Sequence, residues 1–139
     1  MTVIMIHLEI ITPEKIAYTS DVDMVSVPGV GGTLGILPKH IPLFAQLGEG
    51  ELKIKKGSEE IYLGIGGGFV EVTDKKVIIL VTRAVRADDL NEADILRAKK
   101  QAEEALKSRG ASIDRSEVQA SLRRSLLDLK IVNRRKRSH

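Results

Sequence analysis

Two glycine-rich stretches could bind phosphate, so they are the first candidates for chemistry. Their glycines are Gly29, Gly31, Gly32 and Gly35 in one stretch and Gly64, Gly66, Gly67 and Gly68 in the other. Neither spacing gives G-x-G-x-x-G, neither is followed by Gly-Lys-Ser/Thr, and neither opens a predicted helix whose N-terminal amides could hold an anion. The pattern therefore favours turns and bulges where strands bend.

The histidines His7, His40 and His139 do not show the spacing of a metal site or of a catalytic base. None has a partner four residues away, and there is no H-E-x-x-H motif. With no cysteine in the chain, disulfides and thiolate chemistry are excluded, and we expect no metal site. His7 is predicted on the polar side of a strand, and His40 is predicted to brace a loop or to lie in an interface. No serine has a G-x-S-x-G setting, so the sequence indicates no catalytic residue.

One candidate ligand site lies on a predicted helix. Asp94 and Arg97 are three residues apart and share a helix face, where they could simply form a surface ion pair. Alternatively, the Arg97 guanidinium could bind a phosphate group, because its N–H donors fit two phosphate oxygens at once. Arg124, on a second predicted helix, could approach the same ligand. The spacing alone leaves both interpretations open.

The elements that would position these residues follow from apolar periodicity, which changes near Arg86. Before Arg86, short alternating runs are separated by turn signals, a pattern typical of an antiparallel β-sandwich or barrel. A parallel sheet would need helices between its strands, and none has room to form. The side chains expected on the inner face of the first strand are Ile4, Ile6, Leu8 and Ile10. Hairpins are expected between runs 52–55 and 61–65, with Gly57 in the turn, and between runs 69–73 and 76–81.

After Arg86 the apolar period becomes helical. Asn91 is predicted to cap a helix that begins at Glu92 and ends near Gly110. A second helix is predicted to start near Ser112 or Asp114, the latter pairing with Glu117 as in a capping box. The predicted apolar stripes are Ile95, Ala98, Ala102 and Ala105 on the first helix and Val118, Leu122, Leu126, Leu129 and Val132 on the second. The predicted fold class is α+β, mainly β: an N-terminal antiparallel β-sandwich over residues 1–86, followed by a C-terminal antiparallel two-helix hairpin over residues 87–139.

The net charge of +3 is concentrated at the C-terminal end. From residue 115 onward the basic residues are Arg115, Arg123, Arg124, Lys130, Arg134, Arg135, Lys136 and Arg137, against only Glu117 and Asp128. Such an end fits an acidic partner surface on a protein, a nucleic acid or a membrane, or else a solvated tail. No stretch reaches the roughly 20 apolar residues of a membrane helix, and no signal peptide is recognisable. We therefore expect an intracellular protein.

Three segments resemble signatures of the epsilon subunit of the bacterial F-type ATP synthase, and the resemblance covers nearly the whole chain. They are Ile11-Thr12-Pro13, the stretch from Pro28 to His40, and Gly67-Gly68-Phe69-Val70-Glu71-Val72. The resemblance implies a β-sandwich followed by a two-helix domain. It also implies a non-catalytic rotor subunit of the central stalk, which couples proton-driven rotation to ATP synthesis. The subunit would lie on the cytoplasmic face of the bacterial cell membrane and reach the membrane only through the complex.

The same resemblance implies partners and contact residues. The sandwich would bind the gamma subunit and sit on the ring of c subunits, through Gly29, Val30, Gly31, Gly32, Leu34 and His40. The helices would either fold against the sandwich or extend along gamma into the catalytic head of alpha and beta subunits, where they inhibit ATP hydrolysis. The basic face at Arg123 and Arg124 would suit an acidic segment of a beta subunit. Nucleic acid is not an expected partner.

Some members of that family bind ATP on the folded hairpin, so ATP is a candidate regulatory ligand, with or without Mg²⁺, although no cofactor is required. Asp94, Arg97 and Ala98 match the core of the family motif, Arg124 matches on the second helix, and Ala93 stands where a large aliphatic residue belongs. In addition, carboxylates occupy two positions where further arginines are expected, Glu117 and Asp128. Weak binding, Mg²⁺-dependent binding and no binding are all compatible with this pattern.

Two other functions stay as alternatives at this point. One is a stand-alone ATP sensor. The other is a nucleic-acid-binding β-domain with a basic tail, which is disfavoured because few aromatic side chains could stack on bases. The aromatic residues of the chain are Tyr18, Phe44, Tyr62 and Phe69.

Overall fold

The structure is a computed structural model in which residues 4–108 and 114–138 are described. The chain divides into two compact units, Met1–Arg86 and Ala87–His139. The first unit is built from β-strands and the second from helices. In the described parts of the chain, no helix has the length and apolar character needed to cross a membrane.

Strands of the first unit form one connected sheet that folds into the predicted sandwich. They are β1 (Ile6–Ile11), β2 (Ile16–Val22), β3 (Met24–Gly29), β4 (Gly32–Ile36), β5 (Leu43–Leu47), β6 (Gly50–Lys56), β7 (Glu59–Ile65), β8 (Gly68–Val72), β9 (Lys76–Val81) and β10 (Ala84–Arg86). They are hydrogen-bonded in the order β10-β7-β6-β3-β5-β8-β9-β1-β2, with β4 paired to β3. Strand β4 lies within the glycine-rich stretch from Pro28 to His40, so part of that stretch is one arm of the β3–β4 hairpin.

Alternation places the core where the sequence predicts it along most of β1. Ile6, Leu8 and Ile10 are buried, but Ile4 lies before β1 and is exposed, so its assignment to the inner face was wrong. The physical reason is that β1 pairs with its neighbours only from Ile6 onward, and an unpaired residue is not held against the core. The core consists almost entirely of aliphatic side chains contributed by the inner faces of the strands.

One strand pair departs from the antiparallel expectation. β1 and β9 run parallel, with Leu8 opposite Val77 and Ile10 opposite Ile79. A parallel pair needs a long crossover connection, which is usually a helix. Here the intervening strands of the sandwich supply that connection, so the lack of helices between neighbouring strands did not exclude a parallel pair.

Both predicted hairpins are confirmed. Strands β6 and β7 pair in full register around Gly57, whose φ of +61° lies in the left-handed region that favours glycine. Strands β8 and β9 pair across Asp74 and Lys75. Gly68, where β8 begins, lies so close to the Leu80 carbonyl that a Cβ would collide with it. The second glycine cluster therefore serves close strand packing, as its sequence pattern indicated.

The second unit begins with a single 3₁₀ turn, Ala87–Asp89, followed by helices α1 (Glu92–Lys107) and α2 (Arg115–Ser138). The Asn91 side chain accepts a hydrogen bond from the Asp94 amide, which confirms the predicted N-cap of α1. The Asp114 carboxylate accepts hydrogen bonds from the amides of Ser116 and Glu117, which confirms its capping role for α2. The predicted end of the first helix at Gly110 and the alternative start at Ser112 lie outside the described residues.

The predicted apolar stripes of the helices need correction. On α1, Ile95 and Ala102 are buried, but Ala98 is exposed. On α2, Val132 is buried as predicted, but Leu126 is 49% exposed. The buried positions of α2 are Ser125, Asp128, Ile131 and Val132. Val118, Leu122 and Leu129 are half-buried, so the buried face of α2 overlaps the predicted stripe but is shifted away from Leu126 toward Ser125, Asp128 and Ile131.

Candidate functional site

A stripe of outward-facing apolar side chains crosses five neighbouring strands of the sandwich. We call it the apolar stripe; its members are Ile16 on β2, Ile11 on β1, Leu80 on β9, Phe69 on β8 and Phe44 on β5. Register places Ile11 beside both Ile16 and Leu80, and Phe69 beside Leu80. The rings of Phe44 and Phe69 stack with their centroids 5.5 Å apart. The apolar stripe is thus one continuous surface feature.

Strand alternation explains why these side chains face outward. Val70 and Val72 fill the core, so Phe69 on the same strand must point to the opposite face. Phe44 is 66% exposed and Ile16 is 62% exposed. Large contiguous apolar surface on a folded domain is typical of a protein–protein contact.

A cavity of about 420 Å³ lies beside the apolar stripe. It is lined by Ile11, Thr12, Pro13, Gly67, Gly68, Phe69, Leu80, Val81 and Thr82. Interfaces often gain most of their affinity where a large side chain of one partner fills a pocket of the other. The stripe with its cavity therefore has the form of a docking surface for another protein chain.

Sequence reasoning missed the apolar stripe, although a signal was present. In β9, the run from Val77 to Val81 is apolar at every position, so both faces of this strand are apolar. One face of such a strand fills the core. When the outward-facing side chains of the two neighbouring strands are also apolar, the other face forms an apolar surface that a second protein chain can cover. The same applies to Phe69, which alternates with core residues.

The predicted ring-contact residues fall into two groups. Gly29, Val30, Gly31, Gly32 and Leu34 lie together around the turn between β3 and β4, where Val30 is 65% exposed. This turn borders a shallow cavity of about 330 Å³ that Ala45 and Gln46 also line.

His40 lies further along, after β4. Its Nδ1 is 2.7 Å from the Ile41 carbonyl oxygen, and its amide donates a hydrogen bond to the Leu37 carbonyl. Its side chain thus braces this loop, whose Leu37 and Ile41 are themselves exposed. The exposed apolar tips of the turn and of the loop form a second candidate contact surface.

The candidate ligand residues on the helices are exposed. Asp94 and Arg97 form the ion pair that their spacing predicted, and Ala98 lies beside them on the outer side of α1. Contact between Glu92 and Lys136 shows that α1 and α2 run antiparallel. Counting along both helices from this contact puts Arg124 about two helical turns, or roughly 10 Å along the axis, from Arg97.

The two carboxylates that interrupt the predicted arginine positions differ in their surroundings. Glu117 is exposed in the first turn of α2, whereas Asp128 is 6% exposed. Arg123 and Arg124 are both exposed on α2, as a basic contact face requires.

His7 lies on the outer, polar side of β1, as predicted, within a small network of charged side chains. Its Nδ1 is 2.9 Å from the Asp21 carboxylate, and the Glu9 carboxylate is 3.2 Å from the Lys76 ammonium. The hydrogen bond and charge of Lys76, together with His7, hold the pKa of Glu9 below its ordinary value against a smaller opposing effect of desolvation. Across residues 4–108 and 114–138, no group of three or more acidic or histidine side chains is arranged to hold a metal ion.

Comparisons with known proteins add independent findings. Residues 5–87 match the family model described as the β-sandwich domain of the ATP synthase delta/epsilon chain. The chain is 38% identical over 133 residues to the ATP synthase epsilon chain of Dehalococcoides mccartyi, with 95% of each chain covered. It is 41% identical over 130 residues to the ATP synthase epsilon chain of Halalkalibacterium halodurans, with 93% of this chain and 98% of the relative covered.

Two solved structures share the fold. One is a chain of the Euglena gracilis mitochondrial ATP synthase, with a TM-score of 0.66, 20% identity and coverage of 95% of this chain and 81% of that chain. The other is a chain of the central stalk and c-ring of the Tetrahymena thermophila mitochondrial ATP synthase. It has a TM-score of 0.55, 20% identity and coverage of 91% of this chain and 96% of that chain.

Proposed function

The chain belongs to the family of ATP synthase epsilon chains, and from this premise we propose that it is a rotor subunit of the central stalk of a bacterial F-type ATP synthase. Members of this family are non-catalytic subunits of an enzyme complex. The chain couples proton-driven rotation to ATP synthesis by joining the stalk to the membrane ring. It is peripheral to the membrane and lies on the cytoplasmic side.

The apolar stripe is the observation that carries this proposal. A stalk subunit must be held firmly by at least one neighbour, and the stripe offers stacked aromatic rings with a cavity beside them. We assign this surface to the gamma subunit. We assign the contact with the ring of c subunits to the turn between β3 and β4 and to the loop from the end of β4 to His40.

The helical hairpin serves regulation in this proposal. When it extends toward the catalytic head of alpha and beta subunits, its basic face at Arg123 and Arg124 meets an acidic segment, and ATP hydrolysis is inhibited. ATP bound near Asp94, Arg97 and Ala98 would favour the folded hairpin. Because Arg124 is displaced along the axis from this group, the α1 residues carry the ligand and Arg124 contributes mainly charge.

The test of the apolar stripe is the affinity of the full chain for purified gamma subunit. We expect Phe69→Asp to weaken binding by about 30-fold or more, because a charge would be buried against the partner and an anchoring ring would be lost. The matched control is Val30→Asp, which places the same charge on another exposed apolar residue, one that belongs to the predicted ring contact. It should leave gamma affinity unchanged and weaken binding to the isolated c-ring instead.

Thermal unfolding of each variant separates a lost contact from a lost fold. Phe69 is 44% exposed and Val30 is 65% exposed, so neither substitution should disturb the core. A folded Phe69→Asp chain that binds gamma with the affinity of the unchanged chain would contradict the assignment of the apolar stripe.

A further inference from the structure

Two ion pairs join the end of α2 to the beginning of α1 and to the 3₁₀ turn before it. Arg135 Nη1 lies 3.4 Å from Asp88 Oδ1, and Lys136 Nζ lies 2.5 Å from Glu92 Oε2. The partners of each pair are more than forty positions apart in sequence, so these contacts exist only while the hairpin is folded. They lie at the end of the hairpin opposite Lys107 and Arg115, where α1 stops and α2 starts.

These ion pairs lie at the end of the hairpin where the two helices are not connected by the chain, so they affect whether the helices stay together. Near Lys107 and Arg115 the chain itself keeps the helices together, because few residues connect them. At the far end only noncovalent contacts do so. The side chains of Ala87, Ile131 and Val132, which are close in sequence to the ion-paired residues, are buried.

Few apolar side chains are fully buried in the rest of the two helices. The buried residues of α1 are Ile95 and Ala102 alone, and in the middle of α2 the buried residues are Ser125 and Asp128. Several other apolar residues of the two helices are only half-buried: Ala105, Leu106, Val118, Leu122, Leu127 and Leu129. Half-buried side chains contribute less to closure than fully buried ones would, at about 25 cal/mol per Å² of apolar area. Ion pairs therefore contribute a larger fraction of the free energy that keeps this hairpin closed than they would if its interface were filled with buried apolar side chains.

Three of these four charges also suit the helix that carries them. Glu92 lies in the first turn of α1, at its positive end, and Arg135 and Lys136 lie in the last turn of α2, at its negative end, whereas Asp88 lies in the preceding 3₁₀ turn. A test must therefore separate the pairing across the hairpin from the effect of each charge on its own helix.

We propose that Asp88–Arg135 and Glu92–Lys136 form an electrostatic latch that holds the hairpin closed and loosens as ionic strength rises. The latch goes beyond the proposed function, because it concerns the free chain and needs neither the assembly nor a nucleotide. Its failure would leave the rotor role untouched.

A double-mutant cycle on Glu92→Gln and Lys136→Gln in the full chain tests the latch. The readout is the hydrogen-exchange rate of the Ile131 and Val132 amides, which rises on opening because α2 without its partner helix unwinds more readily, and which detects the open form even when it is rare. Each single substitution should raise the rate about two- to fivefold, as expected for a partly exposed ion pair. The double substitution should raise it by less than the product of the two single effects, because the pairing can be lost only once whereas each charge's effect on its own helix is lost separately.

The control cycle combines Glu92→Gln with Arg137→Gln, which removes the same charge one residue further along. The effects of Glu92→Gln and Arg137→Gln on the exchange rate should multiply, because these two residues are not an ion pair in the proposed closure. In 1 M salt the exchange of the unchanged chain should approach that of the Glu92→Gln/Lys136→Gln chain, because the screening length falls to about 3 Å. Effects of Glu92→Gln and Lys136→Gln that multiply, or singles that exchange like the unchanged chain, would overturn the latch.

Discussion

Arg97 is held only weakly by its neighbour on α1. Its side chain is 70% exposed and that of Asp94 is 65% exposed, so water competes with their ion pair. Such surface pairs contribute about 0–1 kcal/mol to stability. An anion that offers Arg97 two oxygens could therefore replace Asp94 as its partner at little cost, which is what a regulatory nucleotide site on the hairpin would need.

Arg97→Ala tests this site by calorimetric titration of the isolated chain with ATP, with and without Mg²⁺. We predict saturable binding by the unchanged chain and its loss in Arg97→Ala, because a neutral methyl group cannot replace the guanidinium. Lys100→Ala is the matched control: it removes an exposed positive charge from the same helix, and it should leave binding intact. No saturation at millimolar ATP, or equal binding by Arg97→Ala, would contradict the site.

Some features of individual residues could be predicted from the sequence and others could not. The caps at Asn91 and Asp114 could be predicted because they depend on neighbours two or three positions away. The pairing of Asp94 with Arg97 follows from helix geometry in the same way. The displacement of Arg124 from that pair could not be predicted, because it depends on the register between two helices, which contacts at their far ends determine.

Helix α2 shows how packing overrides a pattern at the scale of one element. Its leucines suggest a buried stripe, yet Leu126 is half exposed while the polar Ser125 and Asp128 are buried. Ile131 and Val132 belong to the same buried face. A pattern inside one helix cannot reveal which of its faces is buried, because the side chains that cover that face belong to other parts of the chain.

The rotation of α2 leaves Arg123 and Arg124 on its exposed side, and this leads to a prediction for the assembled enzyme. Arg123→Glu/Arg124→Glu should weaken inhibition of ATP hydrolysis several-fold, because like charges would then face the acidic segment of the head. The hairpin should stay folded, as circular dichroism would show, since neither side chain is part of its interface.

The matched control for that variant is Lys100→Glu/Arg115→Glu, which makes the same change in charge at exposed positions elsewhere on the hairpin. Inhibition should be retained there. If the Arg123/Arg124 variant inhibited as strongly as the unchanged chain, the basic face would not be the inhibitory contact.

For the sandwich as a whole, sequence reasoning predicted the two local hairpins and the buried residues Ile6, Leu8 and Ile10 of β1. It missed the parallel pairing of β1 with β9, because that pairing depends on how the sheet closes rather than on either strand. It also missed the apolar stripe, which appears only when Ile11, Leu80, Phe69 and Phe44 become neighbours across strands. Both features form between strands that are far apart in sequence, so the pattern of residues within a single strand does not reveal them.

The division of the whole molecule into Met1–Arg86 and Ala87–His139 gives each unit its own task in this account. The first has its own core and carries both proposed contact surfaces. The second carries the basic face and the candidate nucleotide residues. Loss of the second unit should therefore remove regulation and leave the mechanical role.

ATP hydrolysis by the synthase reconstituted with residues 1–86, compared with the full chain, tests this central claim most directly. We predict that the shortened chain still assembles and still supports proton-coupled ATP synthesis, while hydrolysis rises because the inhibitory helices are gone. Hydrolysis equal to that of the full-chain enzyme would contradict the inhibitory role of the helices, and loss of coupling would contradict the division of labour between the units.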